Sequence, residues 1–221
     1  MYLDFYGLKT SPFNITCNPD FFFESSSHRE AFAALVYGIQ EKKGIILVTG
    51  EVGTGKTTLC KVLLEKLPSQ MKSSLILNPY FSDVQLLHAI IEDFGLVPLK
   101  KNRLDIVKSL NAFLLNMNED GGTAVLIIDE AQNLAHRQLE QIRLLSNLET
   151  SNEKLLQIIL VGQPELVEKL NHPHLRQIRQ RIFVKYRLCP LSEGEIREYI
   201  QFRLKKAGQT HIAFSPETYK I

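Results

Sequence analysis

Ile45-Ile46-Leu47-Val48-Thr49-Gly50-Glu51-Val52-Gly53-Thr54-Gly55-Lys56-Thr57-Thr58 runs from an apolar, β-branched segment through three glycines into a helix-forming segment closed by Pro68. That order of strand, glycine-rich turn and helix is the context in which the pattern Gly-x-x-x-x-Gly-Lys-Thr has a mechanism. The glycines let backbone N–H groups turn inward around an anion, and the helix N-terminus adds its partial positive charge. Gly50, Glu51, Val52, Gly53, Thr54, Gly55 and Thr58 form the cradle of this Walker A loop. Lys56 supplies a point charge for the β- and γ-phosphates of ATP, and Thr57 a hydroxyl for Mg2+.

Downstream, Ala124-Val125-Leu126-Ile127-Ile128 reads as a buried strand from whose end Asp129 and Glu130 emerge. After a sound Walker A loop this is a Walker B segment. Asp129 is placed to organise the metal, and Glu130 to polarise an attacking water. Leu155 to Val161 is a further strand ending in Gly162-Gln163-Pro164, which makes Gln163 a candidate for contact with the γ-phosphate or the water. Arg176, Arg179 and Arg181 precede a last strand, Phe183 to Leu188; they read either as a solvated basic face or as an arginine finger reaching a nucleotide held by a neighbouring subunit.

Between these motifs strands and helices alternate. A second strand spans Ser74 to Asn78. Helices are expected from a capping box at Ser27-His28-Arg29-Glu30 to about Lys43, and over Lys56–Leu67, Ser82–Phe94, Asn102–Met117, Arg137–Glu149, Pro164–Leu170 and Pro173–Gln180. Strands apolar throughout imply a parallel sheet covered on both faces. The fold class is therefore α/β, a five-stranded parallel sheet flanked by helices, with sites at the carboxyl ends of the strands. Residues 1–26 read as an aromatic-rich arm packed near the nucleotide site, 27–190 as the core, and 191–221 as the start of a helical lid. In the lid, a capping box at Ser192-Glu193-Gly194-Glu195 opens a helix to about Ala207, and Ser215-Pro216-Glu217 opens another that is expected to continue past Ile221.

The 221 residues suit one large domain, or one and part of a second. Hydrophobic residues are 44% and charged residues 23%, which argues against disorder. With 26 Lys and Arg against 24 Asp and Glu the net charge is +2, too near neutral for a general nucleic-acid or membrane-surface binder. No apolar run approaches a membrane span, and the first residues lack the pattern of a signal peptide. Cys17, Cys60 and Cys189 are too scattered for a disulfide framework or a zinc pattern. His172 and His174 read as loop residues, and Lys100-Lys101-Asn102-Arg103 as a solvated loop and helix start.

The full motif set resembles an AAA+ ATPase. Phe5-Tyr6-Gly7-Leu8-Lys9, Ser11-Pro12-Phe13, Asn18-Pro19-Asp20, Ser27-His28-Arg29-Glu30-Ala31, Asp129-Glu130-Ala131-Gln132-Asn133-Leu134 and Gly162-Gln163-Pro164-Glu165-Leu166 occur in the order seen in the ExeA/GspA family of the general (type II) secretion pathway. MshM-type pilus-biogenesis ATPases are similar. The resemblance implies a P-loop NTPase of AAA+ type, using ATP and Mg2+, on the cytoplasmic face of a bacterial inner membrane. It implies a homo-oligomer when ATP is bound and an ExeB/GspB-like membrane partner with which the protein helps a secretin assemble. Peptidoglycan would be bound only through a region outside this chain, and nucleic acid is not an expected partner. Residue by residue, it makes Glu130 the catalytic base and Gln163 a sensor. Arg181, with Arg179 next, matches the arginine finger, and His28 and Arg29 border the adenine. A TniB-like DNA-transaction ATPase and a nucleotide-gated binding module with little turnover are the alternatives.

Overall fold

The computed structural model describes residues 2–97, 102–208 and 214. Helix α1 (Tyr2–Tyr6) and a 3-10 turn (Pro19–Phe21) lead into α2 (Ser26–Gln40). β1 (Ile45–Gly50) feeds α3 (Lys56–Lys66), and β2 (Met71–Ile76) is followed by α4 (Asp83–Asp93) and α5 (Arg103–Glu119). β3 (Thr123–Ile128) continues through a 3-10 turn (Ala131–Asn133) into α6 (His136–Leu145). β4 (Leu156–Gly162) precedes α7 (Glu165–Leu170) and α8 (Arg176–Arg179), and β5 (Ile182–Leu188) precedes α9 (Glu193–Lys206).

The strands of the sheet pair in parallel, in the order β2-β3-β4-β1-β5. Successive residues of a strand point to opposite faces, and the two faces carry separate cores. Ile45, Leu47, Leu126 and Ile158 pack under α4 to α8, while Ile46, Val48, Ile127 and Ile159 pack under α2 and α3. Central strands β1 and β4 are buried along their whole length, as is β3 after its first residue.

The expectation of uniformly apolar strands fails at the two edges. β2 and β5 alternate buried and more exposed positions, because an edge strand is incompletely covered. β2 begins at Met71 rather than Ser74, its polar Lys72-Ser73-Ser74 pairing with Ala124-Val125-Leu126; cross-strand pairing here outweighs local propensity. Helix α2 is capped by Ser25, whose hydroxyl accepts from the His28 N–H, not by Ser27. Helix α6 stops at Leu145, and the chain turns toward an antiparallel Glu149–Lys154 bridge. The expected Pro173–Gln180 helix divides into a 3-10 turn and α8.

The N-terminal arm packs on α9. Leu8 is buried with Leu204 and Ala207, and the Lys9 N–H donates to the Ala207 carbonyl at 2.8 Å. Arg203 donates to the carbonyls of Pro12 (2.5 Å) and Phe21 (3.1 Å). The α9 capping box forms as expected. Glu195 also accepts from the Ser26 N–H at 3.0 Å and the Ser26 hydroxyl at 2.8 Å, which ties α9 to the start of α2. The expected helix at Ser215, and Lys100 and Lys101, lie outside the described residues.

Candidate nucleotide site

The P-loop leaves β1 at its carboxyl end. Gly53 and Gly55 adopt φ of +81° and +83°, which an L side chain strains to reach. Gly55 has a second reason to be glycine, since a Cβ there would lie 2.8 Å from His28 Nε2. His28 is buried beneath the loop, with Nε2 2.9 Å from the Thr54 carbonyl and Nδ1 2.7 Å from the Ser25 hydroxyl. A carbonyl only accepts, so Nε2 carries the proton and Nδ1 accepts from Ser25 in the neutral ring. Burial lowers the His28 pKa, which favours the neutral ring. His28 thus supports the loop from below and also reaches the cleft wall.

Lys56 opens α3, whose first N–H groups have no partner within the helix. Its ammonium is buried and donates to the Gly50 and Glu51 carbonyls, each at 2.9 Å. The Thr57 hydroxyl donates to Asp129 Oδ2 at 2.5 Å, across from the end of β3. Burial pushes the Asp129 carboxyl up, opposed by the hydrogen bonds from Thr57 and from the Glu130 N–H. A hydroxyl and a carboxylate meeting beside a buried ammonium and a helix N-terminus form a donor set that fits Mg2+ bound with a nucleoside triphosphate.

Glu130 has φ +51° and ψ +37°. A non-glycine residue held there costs about 1–3 kcal/mol and persists only where neighbours enforce it. Those neighbours are visible. Gln132 Nε2 donates to Glu130 Oε2 at 2.5 Å, and Gln163 Nε2 reaches the same oxygen at 3.4 Å. Gln132 Oε1 accepts from the Gln163 N–H at 3.1 Å. Gly162 is required for this packing, because a Cβ would stand 2.7 Å from Gln132 Oε1. From α7, Lys169 donates to the carbonyls of Gln132 and Leu134. β4 lies between β1 and β3, so Gln163 leaves its end between the two motif strands.

A cleft of about 560 Å3 joins these groups. Val52 to Thr58, Glu130 and Gln163 line one end; arm residues including Phe22 and Phe23, with Tyr199 and Arg203 of α9, line the other. Of the residues singled out from sequence, Gly50, Glu51 and Asp129 do not line this cleft; Asp129 is buried behind Thr57, which does. Glu51 is exposed and faces Arg187. Arg29 is not at the cleft wall either; it points outward and donates to the Glu24 carbonyl at 3.2 Å. Arg179 donates to Asn171 at 3.2 Å, and Arg181 lies just before β5, whose first residue pairs with the start of β1. Neither arginine reaches its own chain's cleft. The rings of His136 and His172, and of His172 and His174, meet tilted, with centroids 5.1 Å apart in each pair. No group of three or more His, Cys, Asp or Glu among the described residues is arranged to hold a metal.

Sequence reading missed Gln132, Tyr199 and Arg203. Gln132 had a signal, its place two residues after Glu130 and opposite Gly162. Tyr199 and Arg203 had none, because their contribution depends on how α9 folds back over the arm.

The family described as AAA domain matches residues 39–170, more than half of the chain. The chain belongs to the AAA family. This AAA domain is 45% identical over 218 residues to General secretion pathway protein A of Aeromonas hydrophila, covering 98% of the chain and 40% of that protein. The chain therefore spans about two fifths of the length of that relative. Among solved structures, the Aeropyrum pernix ORC2 protein (ADPNP-ADP complexes) superposes with a TM-score of 0.67 at 16% identity, over 88% of this chain and 55% of that one. Cdc6p from Pyrobaculum aerophilum gives 0.63 at 19% identity, over 84% and 52%. At such identities the likeness shows the fold alone, that of P-loop ATPases. No helix of the described residues is long and apolar enough to cross a membrane.

Proposed function

We propose that this domain binds ATP with Mg2+, hydrolyses it, and uses the cycle to drive or gate assembly of a bacterial envelope secretion or pilus machine, as in secretin assembly. The observation that carries the chemistry is the meeting of Thr57, Asp129 and Glu130 at the P-loop, with Gln132 and Gln163 fixing the Glu130 carboxylate. Lys56 exchanges its two loop carbonyls for β- and γ-phosphate oxygens, and the first N–H groups of α3 cradle the β-phosphate. Thr57 and Asp129 hold Mg2+, which when bound neutralises charge on the β- and γ-phosphates. Glu130 accepts a proton from the attacking water, and Gln163 orients that water and the γ-phosphate. His28 keeps the loop in shape, and the arm with α9 encloses the base.

Arg181, with Arg179 as second candidate, is offered to a nucleotide in a neighbouring copy, so that hydrolysis requires a homo-oligomer. Its position away from its own cleft supports this. The envelope role, an ExeB/GspB-like membrane partner and a place at the cytoplasmic face of the inner membrane are supported by the 45% identity to General secretion pathway protein A. ATP turnover per subunit, measured against protein concentration beside Arg181→Ala, tests the shared site. The reading predicts a rate that climbs with concentration and collapses in the variant, by a factor on the order of 10³. A rate per subunit independent of concentration and unchanged in the variant removes the finger.

A further inference from the structure

A second cavity, about 430 Å3, opens beside β5 on the sheet face away from α2 and α3. Its floor is apolar, from the buried Leu47, Leu170 and Ile182, and its rim carries exposed Val167 with Arg179, Lys185 and Arg187 and the carboxylate Glu168. With Glu51 beside Arg187 the count is three cations to two acids, a net positive rim in a chain whose net charge is only +2. The cavity also borders the nucleotide site at two points. Arg187 Nη2 stands 3.7 Å from Glu51 Oε1 of the P-loop, and Pro164, in the wall, directly follows Gln163.

We propose that this groove is a docking site for an extended acidic segment of another protein, with apolar side chains set between its carboxylates. Charge complementarity selects acid over base, and the apolar floor selects a peptide over a polyphosphate backbone. β5 ends the sheet order, and an extended segment lying along such an edge points alternate side chains the same way, into the floor. The Arg187–Glu51 pair is the link to the nucleotide. Its side chains are 70% and 58% exposed, and an ion pair so exposed holds weakly. A carboxylate of the docked segment draws Arg187 away from Glu51, the second residue of the P-loop, while contact with α7 bears on Gln163. This coupling rests on the ATPase reading above; the docking itself does not.

The test uses the whole chain and a fluorescein-labelled hexapeptide, Asp-Glu-Leu-Asp-Leu-Glu, with Lys-Lys-Leu-Lys-Leu-Lys as its charge-reversed counterpart. Anisotropy is expected to show binding of the acidic peptide only, weakened about tenfold or more by Lys185→Glu and by Val167→Asp, both on the rim. Basal ATP turnover stays unchanged in Lys185→Glu, whereas the acidic peptide shifts turnover of the unmodified chain and not of that variant. Equal binding to the variants, or equal binding of both peptides, overturns the docking site. Binding without any change in turnover, in protein whose basal hydrolysis has been verified, overturns the coupling. If the acidic peptide does not bind and Lys185→Glu instead abolishes self-association in sedimentation velocity, the occupant is a second copy and the proposal is overturned. Displacement of the peptide by a mixed-sequence single-stranded DNA that binds more tightly overturns it in favour of nucleic acid.

Discussion

Gly55→Ala isolates the support that His28 gives to the P-loop. Gly55 has φ +83°, and an added Cβ would stand 2.8 Å from His28 Nε2. The imidazole cannot swing aside freely, because it bonds to the Thr54 carbonyl and the Ser25 hydroxyl and meets the Phe22 ring edge-on at 5.0 Å. The left-handed backbone costs about 1–2 kcal/mol. Displacing the buried His28–Thr54 bond adds roughly 1–2 kcal/mol. A total of about 3 kcal/mol lowers Tm by roughly 6–12 °C for a domain of this size. Gly53→Ala is the internal control, with φ +81° and nothing within 4 Å of its Cβ, so only the backbone cost applies. Thermal melts followed by circular dichroism, with titrations of a fluorescent ATP analogue, compare the two. The double variant His28→Ala/Gly55→Ala should lose about 1 kcal/mol less than the sum of the singles, because the ring that clashes is gone. Gly55→Ala melting no lower than Gly53→Ala, or strict additivity in the double variant, would show that His28 does not support the loop through Gly55.

Gln132→Leu removes the donor closest to Glu130 Oε2 and leaves Gln163 at 3.4 Å. Steady-state turnover should fall about tenfold or more with ATP affinity unchanged; equal turnover would show that Glu130 does not need this partner. Hydrogen bonds from Ser192 and Ser26 hold Glu195 down to about 2. A carboxyl depressed below its ordinary value of about 4.3 contributes stability above that value and loses it as pH falls toward 2. The Tm gap between the unmodified chain and Glu195→Gln should therefore be full at pH 7 and close between about pH 4.3 and 2. A gap of the same size at pH 2 and pH 7 contradicts the bridge from α9 to Ser26.

Much of this architecture was legible because the motif strands are the central ones. β1, β3 and β4 are buried on both faces, so their residues read as continuous apolar runs and their ends as sites. β2 was misplaced because its Lys72-Ser73-Ser74 segment is a strand only through pairing with β3. The cap of α2 was assigned to Ser27 because a glutamate follows three residues later, yet the Ser27 hydroxyl is engaged instead with the Cys189 N–H and near Tyr186, on a distant segment. The P-loop side of the cleft is legible for the same reason as the strands, since one continuous segment builds it. The far end is not. Arg203 lies 191 residues from Pro12, whose carbonyl it holds, and no local pattern announces such a contact. The His28 support could be suspected only as proximity to the base, not as packing under Gly55.

In the proposed mechanism Glu130 acts on water at a site that binds ATP without it. Glu130→Gln keeps the shape of the side chain and removes its charge. ATP affinity, measured with a fluorescent analogue in the presence of Mg2+, should remain within a factor of about two, while turnover under single-turnover conditions falls by on the order of 10²-fold or more. Hydrolysis in Glu130→Gln at the unmodified rate, with ATP bound equally well, would remove Glu130 from the chemistry.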